Sequence, residues 1–259
     1  MSEIIRKFNK RNVIKLSHAL NYAHYNVGIV ALDIIYTLIA QITNEDTSLN
    51  SYQVSIVQLE QRFGRKLNRK SLENAKQELI SEPILFAKSN NEDPYPWVEK
   101  FELNSRKGSI EIKLHPNLTE HLIKPKLYAM GNLESILAIK SIYTKRIYML
   151  CSQFVAGRKF SIGMKPLRNM LSTPSSLNNA YGNFKERVLV PAIKTINDSS
   201  DLKVKYDEIK TGRYITDLEI IVIKKDSKVI RRLKSGVVGV ENWLNGYQER
   251  EDFMDTEVA

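Results

Sequence analysis

Residues 141–225 open with SIYTKRIYMLCSQFVAG (141–157), pass through MKPLRNMLSTP (164–174) and continue as NFKERVLVPAIKTINDSSDLKVKYDEIKTGRYITDLEIIVIKK (183–225). Tyr143, Ile147, Leu150, Cys151 and Phe154 recur at helical spacing, so the first piece is an amphipathic helix. Met164 to Leu171 is a short helix stopped at Ser172-Thr-Pro174, where proline cannot continue it. Phe184, Val188, Ala192 and Ile196 then turn inward at four-residue steps. Leu202, Val204 and Tyr206 alternate as in a strand, and a hairpin turning at Lys210-Thr-Gly-Arg213 returns through Leu218, Ile220 and Val222. A helix, a short helix, a basic helix and a two-stranded ribbon make up a winged helix-turn-helix. That fold lays one helix in the major groove of DNA.

The first half follows the same order. Leu16, Leu20 and Ala23 make a weak helical stripe. Val27, Val30, Ala31, Ile34, Leu38 and Ile42 make a stronger one, closed by the polar loop 43–50. Ser55-Ile-Val-Gln-Leu-Glu predicts a short helix ending near Gly64. Asn68 or Ser71 caps another, which carries Leu72, Ala75, Leu79 and Ile80 inward. Trp97, Glu99, Phe101, Leu103 and Ile110, Ile112, Leu114 alternate as two strands joined by the basic tip Asn104-Ser-Arg-Lys-Gly108. Gly108 and Gly212 therefore occupy matching places. The expected fold class is α+β, two tandem winged helix-turn-helix domains at 1–130 and 131–225 with a tail at 226–259. The boundary is expected in the segment 125–132.

Of 259 residues, 42% are hydrophobic and 26% charged, enough apolar content for a folded chain. The formal net charge of +10 favours a polyanionic partner. Between Lys140 and Arg213 there are fourteen Lys or Arg against five Asp or Glu, so the excess sits in the segment already read as a DNA binder. The tail splits by sign: Lys224 to Lys234 is basic, whereas Glu241 to Ala259 holds six acids against Arg250 alone. The only cysteine, Cys151, lies on an apolar helix face as a small core residue and excludes an intramolecular disulfide. His18, His24, His115 and His121 have no metal-ligand spacing, so no metal or other cofactor is expected. Residues 1–15 lack the apolar run of a signal peptide, and the window Val27 to Ile42 is interrupted by Asp33 and too short to span a bilayer. The expectation is a cytoplasmic protein with no membrane partner.

Lys140-Ser-Ile-Tyr-Thr-Lys-Arg-Ile-Tyr148, Phe184-Lys-Glu-Arg-Val-Leu-Val-Pro-Ala-Ile-Lys-Thr-Ile-Asn197 and the ribbon from Leu202 to Arg213 resemble the second-domain motifs of the Rep_3 family of plasmid replication initiators. Gly108-Ser-Ile-Glu-Ile-Lys-Leu-His-Pro-Asn-Leu118 is similar to that family's first-domain ribbon. The likeness spans about residues 16 to 225, and Thr195 stands where the family more often has an acid. The resemblance implies two winged helices that bind iterons, the repeated double-stranded sites of a plasmid origin, and start duplex opening. It also implies repression of the chain's own promoter, a possible homodimer built on the first domain, and host replication partners such as a helicase loader or initiator.

Candidate DNA contacts follow from chemistry and placement. Asn183, Lys185, Glu186 and Arg187 lie opposite buried Phe184 and Val188. Arginine can fork onto guanine O6 and N7, and asparagine can pair with adenine. Pro191 removes a backbone donor and predicts a bend, leaving residues 178–189 to read bases. Lys210 and Arg213 at the ribbon tip, and Lys145 and Arg146 on the first helix, suit phosphate contacts. Arg69, Lys70, Asn74 and Lys76, with Arg106 and Lys107 at the ribbon tip, are the first-half counterparts, diluted by Glu73 and Glu78. Each set also reads as ordinary solvated charge.

No Walker-type phosphate loop occurs, nor a His-hydrophobic-His motif beside a nucleophilic tyrosine, so the chain is not expected to be an enzyme. A winged-helix transcription regulator would bind DNA in the same way. A scaffold using basic surfaces for protein contacts would instead show no salt-dependent DNA binding.

Overall fold

A computed structural model describes residues 5–7, 12–87, 93–178 and 180–225. The acidic and basic blocks beyond residue 225 lie outside the described residues, apart from Lys224 and Lys225. The element order is β1 (Ile5–Lys7), β2 (Val13–Ser17), α1 (His18–Tyr22), α2 (Ile29–Ile39), β3 (Ser51–Ser55), α3 (Ile56–Phe63) and α4 (Arg69–Ser81). Then come β4 (Pro83–Ile84), β5 (Tyr95–Pro96), β6 (Val98–Asn104), β7 (Ser109–Leu114), α5 (Thr119–Leu122), β8 (Tyr128–Asn132), α6 (Leu133–Ala138) and α7 (Ile142–Cys151). The last part holds β9 (Ala156–Gly163), α8 (Met164–Met170), α9 (Ser175–Asn178), α10 (Tyr181–Phe184), a π-helical stretch Lys185–Leu189, α11 (Val190–Ser199), β10 (Leu202–Thr211) and β11 (Tyr214–Lys224).

Two copies of one pattern stand out: β3-α3-α4-β6-β7, and β9-α8-(α10 to α11)-β10-β11. In each, a strand precedes the helix pair and joins the sheet of the hairpin that follows. β3 pairs antiparallel with β7, and β9 with β11. The sheets run β1-β3-β7-β6 and β10-β11-β9. Each is a winged helix, so the expected α+β pair of tandem winged helix-turn-helix units is what the chain forms. Gly108 (φ 57°) and Gly212 (φ 61°) hold the two hairpin tips in the left-handed region, where a Cβ would be strained. Gly64 (φ 60°) ends α3 as a left-handed cap. Asn68 caps α4, its Oδ1 accepting the Ser71 N–H at 2.7 Å.

Three sequence expectations change. Residues 13–17 form a strand, not the start of a helix. Ser17 ends that strand by capping α1, its Oγ accepting from Leu20 N–H at 3.1 Å. The segment 125–132, expected as a boundary, contains β8, which pairs with β2 from Val13↔Asn132 to Ser17↔Tyr128. A cut at residue 130 would sever a strand, because the backbone polar groups of β2 need those partners. Where Pro191 is expected to bend the helix, the turn ahead of it, Lys185–Leu189, is widened into a π turn.

One apolar core runs from Ile14 through both units to Val222. Cys151 is fully buried in it, and burial pushes its thiol up to about 12, consistent with an inert packing residue. No helix among the described residues is long and apolar enough to cross a membrane.

Candidate nucleic-acid interface

Leu72, Ala75 and Leu79 bury one side of α4, leaving Arg69, Lys70, Asn74 and Gln77 exposed and Lys76 half-buried on the other. The two glutamates that dilute this face behave differently. Glu73 sits 3.8 Å from Arg69, a loose solvent-exposed pair of small energy. Glu78 turns inward, and its Oε2 accepts the Gly28 N–H at 2.7 Å, holding the start of α2. Beside this helix the tip of the β6–β7 hairpin exposes Arg106 and Lys107, its turn closed by Asn104 Oδ1 accepting Lys107 N–H at 3.0 Å.

In the second unit Phe184, Val188, Ala192 and Ile196 face the core, and Asn183, Glu186 and Arg187 face solvent. Lys185 is tied down: its ammonium lies 2.6 Å from Glu208 on β10, and Tyr181 Oη donates to the same carboxylate at 2.7 Å. The hydrogen bond from Lys185 holds Glu208 below the usual glutamate range, and the reciprocal bond raises Lys185. The wing is thus clamped to the helix it accompanies. At its tip Lys210 and Arg213 are exposed, next to Tyr214 at 77% exposure.

Lys145 and Arg146 do not belong to this surface. They are 0% and 2% exposed, among the largest buried side chains of the chain. Lys145 Nζ pairs with Asp33 Oδ1 at 2.6 Å and donates to Ile136 O, while Arg65 reaches Asp33 Oδ2 at 2.7 Å. Burial raises Asp33 and lowers Lys145, and their mutual attraction opposes both shifts. Arg146 donates to Ala23 O at 2.6 Å and lies 3.7 Å over the Tyr25 ring. Asn21 Nδ2 donates to Met149 O at 3.0 Å, and Tyr148 Oη to Asp201 Oδ1 at 2.7 Å. α7 is therefore an inner strut linking the two units, and its charges face inward because that is where their partners are.

Two cations escaped the sequence reading. Lys165 and Arg168 of α8 line a cleft of about 700 Å³ together with Asn169, Thr173, Asn178 and Thr216, and none of the described residues lining it is a carboxylate. Arg168 donates to Asn178 O at 3.2 Å and sits 5.3 Å over the Phe184 ring. The turn is pinned by Thr173 Oγ1 donating to Asn178 Oδ1 at 2.7 Å and by Asn178 Nδ2 donating to Thr173 O at 2.9 Å. His24 of the first unit closes the cleft, its Nδ1–H donating to Asn169 O at 2.8 Å. The available signal was the spacing Lys165-Pro-Leu-Arg168, two cations three residues apart on the leading helix. Nothing in sequence placed His24 beside them.

Twelve of the fourteen expected contacts thus lie at the surface, on two helices and two hairpin tips, and Lys145 and Arg146 lie inside. Among the described residues no group of three or more metal-ligating side chains forms.

Two family profiles cover most of the chain: "Initiator Replication protein, WH1" matches residues 13–152 and "Initiator Rep protein, WH2" residues 164–222. The first runs through β8 and α7, in keeping with the strand pairing and the strut. An uncharacterized 27.6 kDa protein of Escherichia coli is 21% identical over 224 residues, covering 80% of this chain and 94% of that one. Among solved structures, the Pi initiator protein in complex with iteron DNA has a TM-score of 0.71 at 18% identity, covering 84% of this chain and all of the other, a likeness of fold. Domains 2 and 3 of RctB reach a TM-score of 0.43 at 11% identity, covering 86% of this chain and 95% of that one.

Proposed function

The chain belongs to the initiator replication protein family, and from that premise we propose that it is a plasmid replication initiator that binds iteron repeats at its origin. One observation carries this reading: two exposed polar helix faces, bearing arginine and asparagine, stand in series on a single core, each in a unit whose hairpin tip carries two cations. The Pi initiator, whose fold this chain shares, is seen on iteron DNA. The helices α4 and α10 with its π-helical extension enter successive stretches of major groove, where Asn183 and Arg187 meet base edges and Arg69 and Asn74 add contacts to the backbone. Lys210, Arg213, Arg106 and Lys107 hold phosphates, as do Lys165 and Arg168 in the cleft.

Binding and distortion of the duplex start its opening, and the same contacts at the promoter repress the gene. The role assigns no side chain a catalytic step. It requires host replication proteins, such as a helicase loader, and a second copy of the chain when it acts as a repressor, and it is exercised in the cytoplasm. The units proposed to act are the first, through residue 130, and the second, 131–225, with β8 crossing that junction and α7 bonded to both sides, so that they are not separable by a cut there.

The test is binding of the full chain to the tandem repeats flanking its gene, with scrambled repeats of equal length as competitor, at several salt concentrations. Laddered complexes that survive the competitor are expected. Replacing Lys210 and Arg213 together by alanine should reduce the slope of log affinity against log salt by roughly 2. Binding to a single inverted promoter repeat alone would instead mark a transcription regulator, and no salt-dependent binding would remove both readings.

A further inference from the structure

The long helix of the second unit is wound too loosely in its middle. The Val190 N–H bonds Lys185 O, five residues back, across the stretch Lys185–Leu189, while the residues flanking it keep helical dihedrals (Phe184 φ −63°, ψ −46°; Val190 φ −61°, ψ −49°). Pro191 supplies the cause. It has no N–H to give Arg187 O, and its ring crowds that carbonyl in a regular α-helix. Widening the turn by one residue relieves the crowding without breaking the helix. Pro191 itself is exposed, so its ring is not a core contact.

The widening decides which way the helix faces. In a regular α-helix each residue turns about 100°, so residues at strict four-residue steps drift by roughly 40° per step. Phe184, Val188, Ala192 and Ile196 are spaced in this way, yet all four are buried. The π turn takes back part of the drift and keeps Phe184 and Val188 on the core side. Because Phe184 and Val188 point inward, Asn183, Glu186 and Arg187 point outward, and Lys185 reaches Glu208. α4 has no such stretch: it is α-helical from Arg69 to Ser81 and carries no proline.

We propose that the π turn imposed by Pro191 sets the rotational phase of Asn183, Glu186 and Arg187 against the bases, making Pro191 a positioning residue for sequence discrimination by the second unit. The inference rests on the DNA-binding reading above. With alanine at 191, a backbone donor becomes available to Arg187 O, the turn can tighten to α, and the reading side chains rotate while the phosphate contacts at the wing tip, Lys210 and Arg213, stay in place.

The experiment enriches binding sites from a randomised duplex pool with the full-length wild-type chain and with Pro191→Ala, then measures both on the wild-type site and on scrambled duplex. Pro191→Ala should lower the preference for the wild-type site by about ten-fold, the value of one lost base contact. Its affinity for scrambled duplex and its salt slope should not change. Its enriched site should lose information on one side only, the side read by the second unit. An unchanged preference, an equal loss on both duplexes, or failure of Pro191→Ala to fold would each overturn the proposal, which gives Pro191 a role in phase and none in stability. A wild-type chain that enriches no site overturns the DNA-binding reading first and this inference with it, so the two failures are distinguished by the wild-type arm.

Discussion

The two winged units solve the same problem with different rigidity. In the first, α4 is a regular helix capped by Asn68, and its wing carries ion pairs across the hairpin: Lys100 meets Glu111 at 2.7 Å and Lys113 meets Glu99 at 3.2 Å. In the second, the wing reaches across, Glu208 gripping Lys185 and Tyr181 of the reading helix, and the turn before that helix is pinned by the Thr173–Asn178 pair. A helix tied to its wing and phased by a π turn presents a fixed set of side chains. A helix held by its cap, its apolar face and the Glu78 bond to Gly28, with no tie among the described residues to its wing through the face that meets DNA, presents charge. The expected division of labour is discrimination by the second unit, with the first adding affinity.

Discrimination by one unit and affinity from the other require the two to stay in register, and the strut is where that register is most easily lost. Asp33→Ala strands Lys145, fully buried, with only Ile136 O as a listener for its charge, and should destabilise the chain by about 3–5 kcal/mol in urea unfolding. Burial already lowers the Lys145 pKa, so the variant should lose stability least at high pH, where that lysine is free to deprotonate. A loss below 1 kcal/mol would show that the pair does not couple the units. Next in size, Arg187→Ala should cost about 1–3 kcal/mol at one base position, whereas Arg69→Ala should weaken all sequences alike. Equal behaviour of the two would erase the distinction drawn between the units.

The smallest effect is at the clamp. Because Lys185 holds the Glu208 pKa below its ordinary value of 4.5, the carboxylate contributes stability above that value and loses it as pH falls through the lowered folded value. Acid unfolding of Glu208→Gln should therefore lack this component. The gap between it and the wild-type chain, present at neutral pH, should close below the glutamate range. A gap that persists at low pH would mean that Glu208 acts through shape and not charge.

Much of this was legible beforehand. The hairpins announced themselves by strict alternation broken at Asn104–Gly108 and Lys210–Arg213, because a half-buried strand has a period of two and its tip needs a residue tolerant of positive φ. Reading helices showed one apolar stripe each. β3 and β9, the strands ahead of each helix pair, were missed: Ser51-Tyr-Gln-Val-Ser55 is short and polar, and its strand state is decided by pairing with β7. The strand in residues 13–17 was misread because Leu16 and Leu20 also satisfy a helical stripe, and β8, its partner, lies more than a hundred residues away. The four-residue steps from Phe184 to Ile196 fit the apolar stripe of an ordinary α-helix as well as one with a π turn, so the widening was not legible in the sequence.

Local order, periodicity and turn chemistry were determined by sequence alone, since each depends on residues within a turn or a strand of one another. Whether a charge on a helix faces water or the interior was decided only by tertiary structure. Lys145 and Arg146 have the same chemistry as Lys210 and Arg213. What separates them is a carboxylate on α2 and two carbonyls near α1, brought to α7 from more than a hundred residues away. A buried cation is tolerable where such partners replace its water, and nothing near it in the chain reveals that they will.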